Sequence, residues 1–249
     1  MKILVLGIHA EALHQDDVWR VVRQFSLRAA RRCRRLTFFV HPFWARTSGV
    51  SIDQRVLELA GLGHEIAQHT HFYSPDTTSV LDKTVVLTDS NVTRRLEEDF
   101  QILAGAGTRP YGFVAGAWQI PPALRGWLLA REFAYDSTHR TYAPMRDASR
   151  HGSTSPQPFW LGPDLLELPT TASMRATLTG LFRVRGPVVQ LANLEYQLVY
   201  LHDHDLLDPR KRYATSATVR GLRLRGYQVR PASELATLAK PRVAHWSSP

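Results

Sequence analysis

Short apolar runs and amphipathic helical stretches take turns along almost the whole chain, and this alternation limits the fold more than any other feature. Residues 3–8 (ILVLGI), 36–40 (LTFFV), 64–71 (HEIAQHTH), 111–118 (YGFVAGAW) and 195–205 (EYQLVYLHDHD) read as strands or strand ends. Between the first two, Val18, Val21, Val22, Phe25 and Ala29 share one face of a helix that Asp16 or Asp17 can cap. A short helix over 54–61 stops at glycine, and Val92, Leu96, Phe100 and Leu103 stripe a longer one over 91–104. Proline in its first turn opens a further helix over 121–133. FAYDS at 133–137 and LLELPTT at 165–171 look like short strands, 74–88 and 140–163 like loops, and 217–240 like two helices around a strand. Strands that alternate with helices imply a largely parallel sheet wrapped by helices, an α/β fold. With 249 residues, 44% hydrophobic, and no repeat or composition break, residues 1–249 are expected to form one domain.

Composition removes several classes. One cysteine, Cys33, excludes an internal disulfide framework and points to a reducing compartment. The first apolar run ends at His9 and Glu11, too early for a signal-peptide core, and no segment offers the roughly 20 apolar residues of a membrane span. A cytoplasmic protein is the expectation. The formal charge is +9, and the densest basic run is SLRAARRCRR at 26–35. A solvated helix face explains that run most simply; contact with an anionic surface is the sharper alternative. No aromatic residues interleave with the arginines and no nucleic-acid motif is present, so specific nucleic-acid binding is not expected.

Three strand ends carry paired metal-ligand residue types. The first ends in His9 and Glu11, the third in His69 and His71, and the late one in His202 and His204, each pair two residues apart. Two-residue spacing places both side chains on one face of a strand. In closed β/α barrels the carboxyl ends of the strands share one mouth, where chemistry collects. Imidazole nitrogen and carboxylate oxygen suit a Zn²⁺-type ion, and a spare histidine can act as general acid or base. His41 and His139 are expected to be ordinary hydrogen-bonded surface residues, and His64 a helix-to-strand junction residue.

In sequence order, LTFFVHP (36–42), GHEIAQHTHFY (63–73), RPYGFVAGAW (109–118), FAYDST (133–138), LLELPTT and YLHDHD (200–205) resemble the motifs of the polysaccharide deacetylase (NodB-homology) family. The resemblance covers most of the chain, and its GHE…HT and LHD segments are the most specific. It implies a distorted (β/α)7-type barrel and a metal-dependent amidase of N-acyl sugars. Carried over residue by residue, it makes His69 a metal ligand, His202 the general acid and Glu11 the metal carboxylate. VAGAW also resembles the lipid-linked formamido-arabinose deformylase of the same superfamily.

The chain departs from the family pattern at three points. His9 stands where the family has its catalytic-base aspartate, Tyr73 where it has its second metal histidine, and Val114 where it has an arginine, unless Arg109 replaces it from the preceding turn. The expected site is therefore Glu11, His69 and His71 around a divalent ion, Zn²⁺ by ligand type, with His9 as base and His202 as acid. Tyr73, Arg109, Trp118 and Tyr135 are expected to line a sugar or sugar-conjugate site. The alternatives are a catalytically inactive barrel that binds or regulates through a decayed metal site, and a basic protein that contacts anionic lipid or nucleic acid.

Overall fold

The computed structural model describes residues 1–77, 84–141, 156–174 and 194–239. Its strands are β1 (Lys2–Ala10), β2 (Thr37–Val40), β3 (Glu65–Thr70), β4 (Gly112–Ala115), β5 (Tyr135–Asp136), β6 (Phe159–Trp160), β7 (Leu166–Glu167), β8 (Ala172–Ser173), β9 (Tyr196–His202) and β10 (Tyr227–Val229). Its α-helices among the described residues are α1 (Asp16–Ala30), α2 (Phe43–Ser48), α3 (Asp53–Gly61), α4 (Asp89–Gly105), α5 (Pro122–Ala130), α6 (Pro209–Leu224) and α7 (Ala232–Ala239). The sheet runs β6-β7-β5-β4-β3-β2-β1-β9-β8, with β10 added beside the start of β1. Every pairing is parallel except β6 with β7.

One extended segment rounds the sheet into a barrel. Leu166 and Glu167 pair with β5, and six residues on Ala172 and Ser173 pair with β9. Thr171 N–H also donates to Leu198 O at 2.9 Å, so 166–173 spans the gap between the two sides. The ring of β1, β2, β3, β4, β5, this segment and β9 is the expected distorted seven-part barrel, met here as a curled mixed sheet with flanking helices.

The period-2 rule sorts the core. Even residues of β1 (Leu4, Leu6, Ile8, Ala10) join an outer layer with Val18, Val22, Phe38 and Val40 beneath α1 and α6. Odd residues (Ile3, Val5) join Phe39, Ala67, Val114, Tyr135, Leu166, Leu168 and Leu198 inside the barrel. Because β1 is buried on both faces, it reads as an unbroken apolar run rather than an alternating one. Inward positions continued toward the carboxyl ends are His9 and Glu11, His41, His69 and His71, Gly116, and Tyr200 and His202. The site is thus the polar top layer of an apolar stack.

The other end of the stack is sealed by Glu65. Its Oε1 accepts from Tyr135 Oη at 2.9 Å, and its Oε2 accepts from Thr37 Oγ1 at 2.9 Å and from Ser233 N–H, at the start of α7, at 3.0 Å. Burial pushes the Glu65 carboxyl above its ordinary range, with those three donors opposing. Tyr135 reaches Glu65 only because residue 112 is glycine: a Cβ there would lie 1.9 Å from Tyr135 Cζ.

Boundaries differ from the sequence reading where caps were misread. Gln15, not Asp16 or Asp17, is the N-cap of α1; Asp17 accepts from Val18 N–H at 2.8 Å and Asp16 pairs with Arg55. Helix α6 starts at Pro209, eight residues before the expected 217, because Asp208 caps it through Arg210 N–H at 2.8 Å and proline occupies its first turn. Residues 78–83 of the expected 74–88 loop and 142–155 of the expected 140–163 loop lie outside the described residues, and β6 occupies part of the latter. No helix among the described residues is long and apolar enough to cross a membrane.

His64 does stand at a junction, between α3 and β3, and it is buried there. Its Nδ1 accepts from Leu36 N–H at 3.2 Å while Nε2 donates to Ser26 O at 3.2 Å, an arrangement only the neutral ring can make. Burial lowers its pKa below the ordinary value. Below about pH 6.5 the unfolded chain therefore takes up a proton that the folded chain refuses, and stability falls with pH by up to about 1.4 kcal/mol per unit. Denaturant unfolding at pH 7.0 and 5.5 should show this loss in the wild type and a smaller one in His64→Gln.

Candidate metal centre

Glu11, just past the end of β1, is the hub of the cup. Its Oε1 lies 3.3 Å from His69 Nε2, 3.3 Å from His71 Nε2 and 3.6 Å from His202 Nε2. Strands β1, β3 and β9 each deliver their groups from the carboxyl end, and His9 pairs in register with His202. The rings of His9 and His69 are 4.6 Å apart, and those of His9 and His202 are 5.5 Å apart. Four of the nine expected residues thus surround a fifth.

Two edges of the donor set Glu11, His69 and His71 match a tetrahedral ion. Bonds of about 2.0–2.1 Å at the tetrahedral angle put neighbouring donors roughly 3.3–3.4 Å apart, and Glu11 Oε1 stands 3.3 Å from both Nε2 atoms. His69 Nδ1 donates to Val114 O at 2.9 Å, which leaves Nε2 as the nitrogen turned toward the Glu11 carboxylate. Lone pair facing carboxylate is repulsive unless a proton or a metal cation lies between them. Carbonyl anchoring of the remote nitrogen is also the usual support of a metal-bound histidine.

His71 is held more tightly than its place on a loop suggests. Its ring stacks on Tyr73 at 4.9 Å and 15°. On another side it presses on Gly116, where a Cβ would sit 2.2 Å from His71 Cγ. Burial pushes the His71 pKa down to about 3, so the ring is neutral at neutral pH. Burial pushes the Glu11 carboxyl up, but the imidazoles of His69 and His71 that face Oε1 outweigh it and hold the carboxyl well below the usual carboxylate range. Burial and the neighbouring imidazoles hold His9 well below its ordinary value.

His9 Nε2 is buried and accepts or donates no hydrogen bond. Its ring is walled by Phe39, Trp118 and Tyr200 at 4.7–5.7 Å. His202 is 31% exposed, and Asp205 steadies it, with Oδ2 accepting His202 N–H at 3.1 Å and standing 3.7 Å from Nδ1. Trp118 lies against His9 and Tyr200 and so lines the cup, with Arg140 over its ring. Tyr73 faces His71 but is 2% exposed, packed among Phe43 and Trp44.

Two expected lining residues are elsewhere. Tyr135 is the fully buried partner of Glu65 at the far end of the barrel. Arg109 precedes β4 at that same end, exposed and paired with Glu132 at 2.6 Å. Resemblance by motif order placed them at the mouth, but both precede or begin their strands. Arg109→Ala should therefore leave kcat/KM within about twofold of wild type, as befits an exposed ion pair. Tyr135→Phe should cost about 1–3 kcal/mol in denaturant unfolding by stripping a donor from a buried carboxylate.

His41 and His139 are not surface residues, being 2% and 4% exposed. His41 Nδ1 donates to His69 O at 3.1 Å and lies 3.6 Å from Asp99 Oδ2, bracing the metal-side strand from behind. Its position two residues past inward-facing Phe39 was the available signal. His139 Nδ1 lies 3.4 Å from buried Glu167. Three arginines of 26–35, Arg28, Arg32 and Arg34, join Arg212 around the apolar floor of a separate cavity of about 430 Å³ between α1 and α6.

No family model matches the sequence, and no curated protein matches it. Solved structures do. A provisionally named polysaccharide deacetylase from Mycobacterium smegmatis superposes with a TM-score of 0.67 at 16% identity, over 100% of this chain and 94% of its own. Peptidoglycan deacetylase PdaC from Bacillus subtilis gives 0.52 at 12% identity, over 97% and 93%. A CE4 family pseudoenzyme from Bacillus anthracis gives 0.57 at 13% identity, over 94% and 65%. The chain has the NodB-like barrel of the polysaccharide deacetylases.

Proposed function

We propose that the chain is a metal-dependent hydrolase of a linear amide, an N-deacetylase or deformylase acting on an N-acyl sugar or sugar conjugate. The observation that carries this reading is that Glu11 Oε1 stands 3.3 Å, a tetrahedral edge distance, from both His69 Nε2 and His71 Nε2, with His69 Nδ1 already committed to Val114. Those three residues would hold the ion. Bound there, a Zn²⁺-type ion supplies Lewis acidity, lowering the pKa of water to about 7 and polarising an amide carbonyl.

The protein's own groups supply the rest. His202, partly exposed and steadied by Asp205, delivers a proton from Nε2 to the departing amine. His9, neutral because it is buried, accepts a proton at Nε2, which has no other partner. Trp118 and Tyr200 present flat apolar faces suited to a sugar ring, and their packing around His9 keeps bulk water from the cup's wall. The chain reloaded with Zn²⁺ should release acetate or formate from N-acyl amino sugars, chelator should stop it, and His202→Asn should lower kcat about 10²-fold. No release from any N-acyl sugar by fully loaded protein would refute the reading.

One observation favours a second reading, an inactive binding or regulatory barrel. Tyr73 and His9 replace groups the family uses, and one protein of this fold is a CE4 family pseudoenzyme. That reading expects thermal stabilisation by a sugar ligand without metal, and chelator-sensitive turnover would end it.

A further inference from the structure

The hub carboxylate has a second flank. His202 Nε2 is 3.6 Å from the same Glu11 Oε1 that faces His69 and His71. His9 completes that flank: one ring nitrogen each of His9 and His202 and a Glu11 carboxylate oxygen all lie within 4.8 Å of one another. His9 is 4% exposed, its Nε2 has no hydrogen bond, and Phe39, Trp118 and Tyr200 hold its ring in place. A buried imidazole nitrogen with no partner carries an uncompensated desolvation cost. A cation between His9 and His202 would remove it.

We propose that the cup takes a second divalent cation between His9, Glu11 and His202, with Glu11 bridging the two ions, and that its occupancy inhibits turnover. The proposal rests on the metal-dependent reading above. Two ions sharing one carboxylate suit the spacing of roughly 3.5–4 Å found in two-metal sites. The second ion binds more weakly, because the Glu11 charge is already engaged and the two dications repel. It inhibits because an Nε2 lone pair given to a metal cannot carry a proton, which removes His202 from amine protonation and His9 from proton uptake. A competing group, His202, His204 and Asp205, lies nearer the surface. There Asp205 is engaged by Lys211 at 2.5 Å and His204 is half exposed, so that group is the weaker candidate.

The test is Zn²⁺ titration of the full chain after chelation, by calorimetry or competition with a chromophoric chelator. Wild type should take two equivalents, the second at least tenfold weaker, with turnover rising through the first and falling through the second. Loaded with Mn²⁺, it should show the exchange-coupled resonance of a paired centre. His9→Gln should keep the tight equivalent and lose the weak one, and retention of the tight equivalent shows that the variant folds; His204→Asn should keep both. Saturation of wild type at one equivalent, lost in His69→Ala, would overturn the second site and leave the hydrolase reading standing. A weak equivalent that survives His9→Gln but not His204→Asn would place it at the surface group and also overturn the proposal. No tight equivalent at all would overturn both.

Discussion

Glu11→Gln should lower turnover about 10³-fold and abolish tight metal binding while leaving the chain folded. Glu11 Oε1 lies within 3.6 Å of three imidazole nitrogens, and its carboxylate is the anionic donor among the three proposed ligands of the tight ion. A neutral amide keeps the shape and removes the charge. The polarisation a bound ion supplies is worth several kcal/mol, and about 1.4 kcal/mol corresponds to each tenfold in rate. Elemental analysis together with initial rates at saturating Zn²⁺ checks both halves. A variant that retains the ion and the rate would remove Glu11 from the site.

Gly116→Ala should weaken metal binding by about 10² and cost about 1–3 kcal/mol of stability, from one methyl group outside the donor set. The new Cβ would lie 2.2 Å from His71 Cγ and 2.4 Å from Nδ1. His71 has nowhere to retreat, since Tyr73 is stacked against it at 4.9 Å and is itself packed by Phe43 and Trp44. The ring must swing out of the cup or strain the 3-10 turn at 116–118, where Ala117 and Trp118 already have positive φ of 52° and 59°. Gly126→Ala, at a helical glycine whose added Cβ meets nothing within 4 Å, is the matched control. Calorimetric affinity for Zn²⁺ in the two variants gives the comparison.

Most of the barrel was legible because apolar runs buried on both faces leave little doubt that they are strands. The cup was legible because side chains two apart on a strand share a face, and that parity joined His9 to Glu11 and His69 to His71. The same parity, run on from Phe39, reaches His41; the turn at Pro42 hid it, and His41 read as a surface residue. Arg109 and Tyr135 were misplaced for the opposite reason. Motif order says which strand a residue belongs to, whereas the end of that strand decides whether it meets the cup. LLELPTT at 165–171 read as one short strand, whereas residues 166–167 and 172–173 pair with different neighbours, a fact set by β5 and β9 far away in sequence. Helix α6 was shortened because the cap and first-turn proline at Asp208 and Pro209 were passed over.

The central claim is that β1 and β3 bring three ligands to one ion. An anomalous difference map from Zn²⁺-soaked crystals, collected on both sides of the zinc edge, tests it most directly. The account predicts a peak about 2.0–2.2 Å from Glu11 Oε1, His69 Nε2 and His71 Nε2 together. A map with no peak among those atoms, while zinc occupies other histidines, would contradict it.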